Sequence, residues 1–343
     1  MRLVPANRGE WKKAVIRLTI VLAAILILPL AGASWSASMP GSSHEGDMPE
    51  IEALHAPLKD ALKRHVEELS GRIGVRNRMY GDSLADAQRY IVAELEGAGY
   101  ATAVLPYSTG DGEVANIVAS LPGTSAAAEI VVVGAHYDTV VTTPGADDNA
   151  SGVAVLLEVA RAMAGRQYPR TVRFVAFPNE EPPYFKTSEM GSRQYARHCR
   201  EAGDDVVAML SLESLGYFED EPGSQMYPPP FSLLYPAEGN FVGFVGDLAS
   251  RGLVHRAIAL FREAIPVPSE GLAGPSWIPG ADLSDHWAFW QEDYPALMIT
   301  DTALFRNPYY HKPGDLPSVL DFDRMTWVTL GVIRIVEDAT QGE

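Results

Sequence analysis

The chain has 343 residues, of which 47% are hydrophobic and 21% are charged. These proportions are typical of a globular protein and argue against wholesale disorder, and the length suits one large domain or two small ones. The formal net charge of −17 argues against a nucleic-acid partner, and the single cysteine, Cys199, excludes an intramolecular disulfide.

Residues 1–33 have the pattern of a leader. An apolar run, Leu18 to Leu30, is followed by the small residues Ala31, Gly32 and Ala33, which are typical of a signal-peptidase site. The run is shorter than the roughly 20 residues that a membrane-spanning helix needs. Five basic residues precede it: Arg2, Arg8, Lys12, Lys13 and Arg17. We therefore predict an exported protein, periplasmic or extracellular, with an uncleaved membrane anchor as the alternative.

Residues 34–49 are of low complexity and are predicted to be a flexible linker to a single domain of residues 50–343. In that domain, segments with helical periodicity alternate with segments typical of strands. Helices are predicted at residues 51–69, 82–98, 151–164, 190–200, 247–264 and 322–336, and strands at 100–107, 114–121, 130–133, 171–177, 206–212, 241–245 and 296–300. This alternation predicts an α/β fold with a mixed, mostly parallel central sheet and helices on both faces. Residues 216–285 are rich in loops, including 271–282, and are predicted to form an insertion or lid.

The most informative stretch runs from Ile130 to Gly152. An unbroken apolar run, Ile130 to Val133, predicts a strand buried on both faces. Polar residues follow at once, with His136 and Asp138 after the strand and Asp148 before the next helix. Ligands of open α/β sheets bind beyond the carboxyl ends of the strands. Imidazole and carboxylate there suit a divalent ion such as zinc.

Further acidic residues and a second histidine follow later strands. Glu180 and Glu181 come after the strand at 171–177, Glu213 ends the strand at 206–212, and His311 lies in a loop after 296–300. Adjacent glutamates point in different directions, so one can bind metal while the other reaches a water molecule as a general base. We expect these residues to meet at one edge of the sheet.

Taken in order, these residues resemble those of the co-catalytic two-zinc exopeptidases of the bacterial leucyl aminopeptidase type. Glutamate carboxypeptidase-like enzymes and glutaminyl cyclases are relatives of that family. The resemblance runs from about Asn116 to Asp315. It is sharpest at His136-Tyr137-Asp138 and in the sequence GADDNASG at residues 145–152.

The resemblance implies two zinc ions per chain, which cobalt or manganese can replace. Asp148 would bridge the two ions. His136 and Glu213 would complete one site, and Glu181 and His311 the other. The family often has Asp where this chain has Glu213.

The resemblance also implies roles for residues that do not bind metal. Glu180 would be the general base and acid, and Asp138 would accept a hydrogen bond from the His136 ring and fix its tautomer. The peptide bond between Asp148 and Asn149 would be cis.

Substrate contacts are less directly readable. The segment between Glu181 and Gly191 is longer than in the common form of the family and is predicted to shape the pocket mouth. Tyr184, His286, Trp287 and Tyr310 are predicted to line a substrate pocket. Ser284, Asp285 and His286 do not indicate a serine hydrolase, because triad members are not sequence neighbours and no Gly-x-Ser-x-Gly elbow occurs.

We therefore predict an exported aminopeptidase that acts on peptides, with no nucleic-acid partner and with membrane contact only if the leader is retained. Carboxypeptidase or dipeptidase action and the oligomeric state stay open. One alternative is a glutaminyl-cyclase-like acyltransferase with one zinc. The other is a catalytically inactive binding protein on the same fold.

Overall fold

The strand predicted around Ile130 lies at the centre of the sheet. This strand, β3 (Ala126–His136), is buried from Ile130 onwards, as expected for a strand covered on both faces. In a computed structural model that describes residues 7–342, its two neighbours are β4 (Arg170–Phe177) and β5 (Asp205–Glu213), and both run parallel to it. The most apolar segment of the domain is thus its innermost strand.

Within residues 7–342 the sheet has eight strands in the order β1-β2-β4-β3-β5-β8-β6-β7. The remaining strands are β1 (Thr102–Thr109), β2 (Gly112–Leu121), β6 (Val242–Gly246), β7 (Ser269–Ala273) and β8 (Ala296–Thr300). The central strands β4, β3, β5 and β8 are mutually parallel, whereas β1–β2, β2–β4 and β6–β8 pair antiparallel. The predicted mixed, mostly parallel α/β fold is confirmed.

Helices cover both faces of the sheet. The helices are α1 (Arg8–Ala37), α2 (Ala56–Val66), α3 (Ser83–Gly97), α4 (Gly152–Met163), α5 (Gly191–Ala202), α6 (Arg251–Ala264), α7 (His286–Trp290), α8 (Ala303–Arg306) and α9 (Phe322–Gln341). The larger core lies on the face covered by α2, α3, α4, α6 and α9, and a smaller one lies under α5 and α7.

Several predicted boundaries were wrong for local reasons. The helix predicted from Asp247 begins at Arg251, because Asp247 Oδ1 accepts from Ser250 N at 2.7 Å and forms a turn there. Leu248, which the predicted helix would contain, lies in that turn and is exposed. The helix predicted from residue 51 begins at Ala56, which leaves Leu54 exposed. Among the described residues, Asp82 makes no side-chain cap for α3.

Strand β7 was missed because residues 271–282 were predicted to be a loop. Its inward-facing residues are Ser269, Gly271 and Ala273, which are small and lack the apolar alternation of a strand. Gly271 is needed there, since an added Cβ would lie 2.7 Å from the Met39 side chain. The strand therefore owes its place to close packing rather than to β propensity.

The amino-terminal helix is longer than the predicted apolar run. By length and composition α1 is able to cross a membrane, a property that signal sequences share. Its last turns contact the domain, where Ala33 and Ser36 are buried. The segment predicted as a linker also touches the domain, because Ser43 Oγ accepts from Ser269 N at 2.8 Å. Arg2 of the predicted leader lies outside the described residues.

Candidate active site

The predicted ligands lie along one edge of the sheet. His136 ends β3, Glu213 ends β5, and Glu180 and Glu181 follow β4 after a short turn. Because β4, β3, β5 and β8 are adjacent and parallel, their carboxyl ends lie side by side. The loop after β8 then brings His311 to the same edge. The parallel topology therefore gathers residues 175 positions apart in sequence, from His136 to His311.

Two groups of three potential metal ligands share one aspartate. In the first group, His136 Nε2 lies 3.2 Å from Asp148 Oδ1 and 3.2 Å from Glu213 Oε2. In the second, His311 Nε2 lies 3.1 Å from Asp148 Oδ2 and 3.3 Å from Glu181 Oε2. The two carboxylate oxygens of Asp148 therefore face different histidines, which is the arrangement of a bridging ligand.

The backbone around Asp148 departs from regular helix. Residues Ala146–Ser151 form a π-helical turn, with Asp148 and Asn149 outside helical φ/ψ values and the peptide bond between them cis. Gly145 precedes the turn at φ 60°, and a Cβ added there would collide with the Asp148 carbonyl oxygen. The glycine thus permits the chain to turn back over the site. The cis bond that the family resemblance implied is present.

Glu180 lies beside the first group without joining it. Its Oε2 is 4.0 Å from His136 Nε2, and the side chain is 9% exposed. Burial raises the pKa of Glu180 well above its usual range, and the neighbouring Glu181 and Glu213 add to that effect. A buried carboxyl group with a raised pKa suits a group that accepts and returns a proton.

Asp138 positions the two adjacent glutamates. Its Oδ1 and Oδ2 accept from the backbone N–H groups of Glu180 at 3.0 Å and Glu181 at 3.1 Å. The same Oδ1 lies 3.5 Å from His136 Nδ1. The role first expected for Asp138 was support of the histidine ring. Its shortest contacts instead fix the turn that carries Glu180 and Glu181.

The electrostatics of the groups suit bound cations. Burial raises the pKa of Glu181 to about 8, and Asp148 adds to the rise. For the His311 ring, burial opposes the charged form, but Asp148 and Glu181 raise its pKa to about 10. Carboxylates crowded in this way need positive charge nearby to stay ionised.

The hydrogen-bonding inventory supports the same conclusion. Among the described residues, several buried polar atoms at this edge have no hydrogen-bond partner: His136 Nε2, Asp148 Oδ1, Glu181 Oε1 and His311 Nε2. Buried polar atoms are rarely left unpaired unless an ion or water binds them. Imidazole nitrogens with carboxylate oxygens are the donor set that zinc prefers. The residues present therefore fit two zinc-like ions.

Serine side chains hold Glu213, a support that the sequence prediction missed. Ser284 Oγ donates to Glu213 Oε2 at 2.7 Å, and Ser214 Oγ donates to Oε1 at 3.1 Å. Ser211 Oγ lies 2.9 Å from Ser284 Oγ. The Ser-Asp-His string at residues 284–286 thus contributes ligand support. Its proximity to a carboxylate 71 positions earlier has no signal in the local sequence.

Asp315 holds the loop that carries Asp148, the residue that both ligand groups share. Its carboxylate accepts from the backbone N–H groups of Asp147 at 2.8 Å and Asp148 at 3.2 Å. Asp315 comes from the same loop as His311. One loop therefore supplies His311 to the second group and orients Asp148, which both groups share.

Replacing Asp315 by Asn should lower zinc affinity by about 10–100-fold, the usual cost of losing a group that supports a ligand. The amide would present a donor to backbone donors, so at least one of the two contacts is lost. Zinc affinity measured by competition with a chelator checks this. Asp82→Asn, at an exposed aspartate that belongs to neither ligand group, should bind zinc as the wild type does.

Arg76 is a buried cation behind the site. Its guanidinium donates to the carbonyl oxygens of Tyr137 at 2.8 Å, Pro144 at 2.6 Å and Gly145 at 2.8 Å. It also donates to the carbonyls of Leu69 and Gly74, both at 3.2 Å. The guanidinium thereby ties the segment before α3 to both ends of the loop between His136 and Asp148.

An open pocket adjoins the first ligand group. It encloses about 840 Å³ of empty space, counting the open solvent at its mouth, and is walled mainly by apolar side chains. The lining includes Glu213 and Tyr310, which lie in or beside the ligand groups, and the apolar or aromatic side chains of Phe231, Tyr235, Met298 and Phe305. Tyr310 stacks on His311 with the ring centroids 3.9 Å apart.

Of the four residues predicted to line this pocket, Tyr310 does so. His286 is fully buried instead, with Nε2 2.9 Å from the Ala281 carbonyl oxygen, and burial lowers its pKa to about 4. Trp287 packs against the smaller core. The Tyr184 hydroxyl donates a hydrogen bond to Asp111 Oδ2 at 2.5 Å, and Tyr184 is not part of the pocket lining. The walls come instead from the loops at 225–241 and 278–283, which carry no motif, together with residues of β6, β7 and β8 and residues 302–305.

Comparison with known proteins finds a matching family and relatives that are similar in sequence. The model of peptidase family M28 matches residues 116–336. The uncharacterized protein YfbL of Escherichia coli K12 is 37% identical over 302 residues, which cover 84% of this chain and 92% of that protein. Leucine aminopeptidase 1 of Fusarium vanettenii is 26% identical over 238 residues, which cover 64% of this chain and about half, 54%, of that protein.

Solved structures share the fold. A zinc aminopeptidase from Bacillus subtilis superimposes with a TM-score of 0.67 at 14% identity, covering 87% of this chain and 97% of that one. Porphyromonas gingivalis glutaminyl cyclase gives a TM-score of 0.61 at 20% identity, covering 82% of this chain and 98% of that one. The same fold thus supports two different chemistries, and the site must decide between them.

Proposed function

The chain belongs to peptidase family M28, and from this premise we propose that it is an exported two-zinc aminopeptidase. Membership supports a hydrolase, and a leucine aminopeptidase is among the relatives of the chain. The metal stoichiometry, the roles of the site residues and the export are the proposed parts.

The observation that carries the proposal is the shared aspartate. Asp148 directs one carboxylate oxygen to His136 and the other to His311, and each pair is completed by a further glutamate. His136 with Asp148 and Glu213 would hold one ion, and His311 with Asp148 and Glu181 the other. Two divalent ions, when bound, supply Lewis acidity and make water nucleophilic at neutral pH.

Glu180 would move the protons. Its Oε2 is close to the first ligand group but is not needed to complete it. From there it can accept a proton from the attacking water and later deliver it to the departing amine. Asp138 holds Glu180 in place through the backbone N–H of that residue, so the carboxylate is oriented before substrate arrives.

The pocket beside Glu213 would accept the side chain of the first residue of a peptide. The lining is apolar, while the site itself is strongly acidic and suits a free amino terminus. An apolar side chain that moves from water into such a pocket gains about 1.5–3 kcal/mol. That gain corresponds to about a 10–100-fold preference for Leu or Phe over Gly.

A panel of aminoacyl anilides on the zinc-loaded enzyme tests this prediction. We expect kcat/KM for leucyl and phenylalanyl substrates to exceed that for glycyl by about 10–100-fold, and amino-terminal acetylation to abolish cleavage. Met298→Ala, which enlarges the pocket, should lower kcat/KM for leucyl more than for glycyl substrates. Met79→Ala, at an exposed methionine, should leave the ratio unchanged. Equal rates for all side chains would contradict the assignment of the pocket.

The alternatives give different results in the same assay. A glutaminyl cyclase converts an amino-terminal glutaminyl peptide to its pyroglutamyl form with loss of ammonia, whereas an aminopeptidase releases free glutamine. The presence of His136 with Glu213 favours the two-ion site over the one-zinc alternative. One zinc per chain together with pyroglutamate formation would overturn the proposal. Full zinc loading without activity on any member of the panel would favour a binding protein.

A further inference from the structure

The carboxyl end of α1 is packed into the catalytic domain. Ala33 and Ser36, one helical turn apart, are buried, and Ala33 packs in a cluster with Phe231, Ile278 and Ala281. The helix comes close because residue 274 is glycine, where a Cβ would lie 2.9 Å from Ile278 Cδ1 and 3.0 Å from Ser36 Oγ. The Arg251 guanidinium lies 4.1 Å from the centroid of the Trp35 ring.

The chain after α1 stays attached to the same edge of the sheet. Arg251 donates to the Ser38 carbonyl oxygen at 3.2 Å, and Arg262 donates to that of Pro40 at 3.0 Å. Ser269 N, on the edge strand β7, donates to Ser43 Oγ at 2.8 Å. These contacts cover a free sheet edge and fix the direction in which α1 leaves the domain.

The rest of α1 has the properties of a membrane span. The helix has 30 residues and is long and apolar enough to cross a membrane, and no residue from Arg8 to Gly32 whose side chain the structure describes is buried. The 18 residues from Leu18 to Trp35 are about 27 Å long as a helix, close to the roughly 30 Å of a bilayer core, and the long basic side chains before them can reach the interface. Basic residues lie at its amino end, at Arg8, Lys12, Lys13 and Arg17, where they mark the cytoplasmic side.

Exposed apolar side chains flank the point where α1 meets the domain. We call Trp35, Leu233 and Trp277 the apolar rim, and their exposed fractions are 54%, 74% and 79%. Trp277 is next in sequence to Ile278, which packs with Ala33, and Leu233 is next to Leu234, which packs on the same cluster. Tryptophan at such a position is typical of the boundary between lipid and water.

We propose that α1 is retained as a membrane anchor and that the apolar rim rests in the lipid on the outer face of the bilayer. A leader removed during export contributes nothing to the folded domain, whereas the end of α1 packs on residues that also wall the substrate pocket. Phe231 and Ile278 belong to both sets. With a net charge of −17, the chain is not drawn to anionic lipid by charge. Attachment of the domain to the bilayer therefore depends on α1 and on the apolar rim.

The anchor is tested on the full chain, produced with a carboxyl-terminal tag in a Gram-negative host. We expect the intact mass, including residues 1–33, in the membrane fraction, and no release by high salt or alkaline carbonate. A product that begins at Ser34 and is released without detergent would overturn the anchor. Neither result depends on catalysis.

The rim is tested by tryptophan fluorescence of the same protein in phosphatidylcholine vesicles with brominated chains, which quench indoles on contact. Trp277→Phe should lose part of the quenched emission of the wild type. Trp290→Phe should lose none of it, because Trp290 packs on the smaller core and donates to the Ala296 carbonyl oxygen at 2.9 Å. Equal quenched emission in wild type and Trp277→Phe would overturn the contact between rim and lipid.

Discussion

Replacing Glu180 by Gln is expected to lower kcat by about 10²–10⁴-fold, the usual contribution of a general acid–base group. The amide has nearly the same shape but cannot accept a proton from water or return one to an amine. Zinc content should stay at the wild-type level, since each ligand group is complete without Glu180. Single-turnover rates with a leucyl anilide and elemental analysis of the same sample measure both effects.

A matched substitution separates this effect from a loss of charge in general. Glu201 lies at the end of α5, with 72% of its side chain exposed, and Glu201→Gln should have wild-type kcat and zinc content. If Glu180→Gln instead lost zinc, Glu180 would be a ligand rather than the base. A change in kcat of less than about threefold would remove it from the chemistry altogether, since even weak general catalysis exceeds that value.

Replacing Asp148 by Ala is expected to remove both zinc ions and to abolish activity. Each oxygen of Asp148 serves a different ligand group, so each site would retain two protein ligands, fewer than the three of a typical catalytic zinc site. His311→Ala removes a ligand from the second group alone and should leave the first ion bound. Zinc per chain after dialysis, measured for both variants and for the exposed Asp293→Asn, distinguishes a shared ligand from an ordinary one. One tightly held zinc in Asp148→Ala would show that the ions are independent.

The sequence was most informative where chemistry follows directly after a buried strand. The apolar run at Ile130 predicts β3, and the strand is followed by His136 and Asp138 at the edge where ligands bind. Glu213 and His311 could be placed for the same reason, because parallel strands end side by side. Order along the chain was therefore sufficient to predict which residues meet.

Residues that support the site from distant segments of the chain could not be predicted in this way. Ser284 and Asp315 contact groups 71 and more than 160 positions away, and neither lies in a motif with that meaning. Strand β7 was hidden because small residues replace the apolar alternation of a strand. The pocket walls were missed because they depend on how irregular loops fold over the sheet, which local periodicity does not encode.

The buried guanidinium of Arg76 shows that the candidate active site depends on residues that precede the stretch matching the family. The family match begins at residue 116, 40 positions after Arg76. A fragment trimmed to the matching stretch would leave the carbonyl oxygens of Tyr137, Pro144 and Gly145 without their donor, and each buried group left unpaired costs about 1–3 kcal/mol. The stretch that identifies the family, residues 116–336, is thus shorter than the stretch needed to fold the candidate active site.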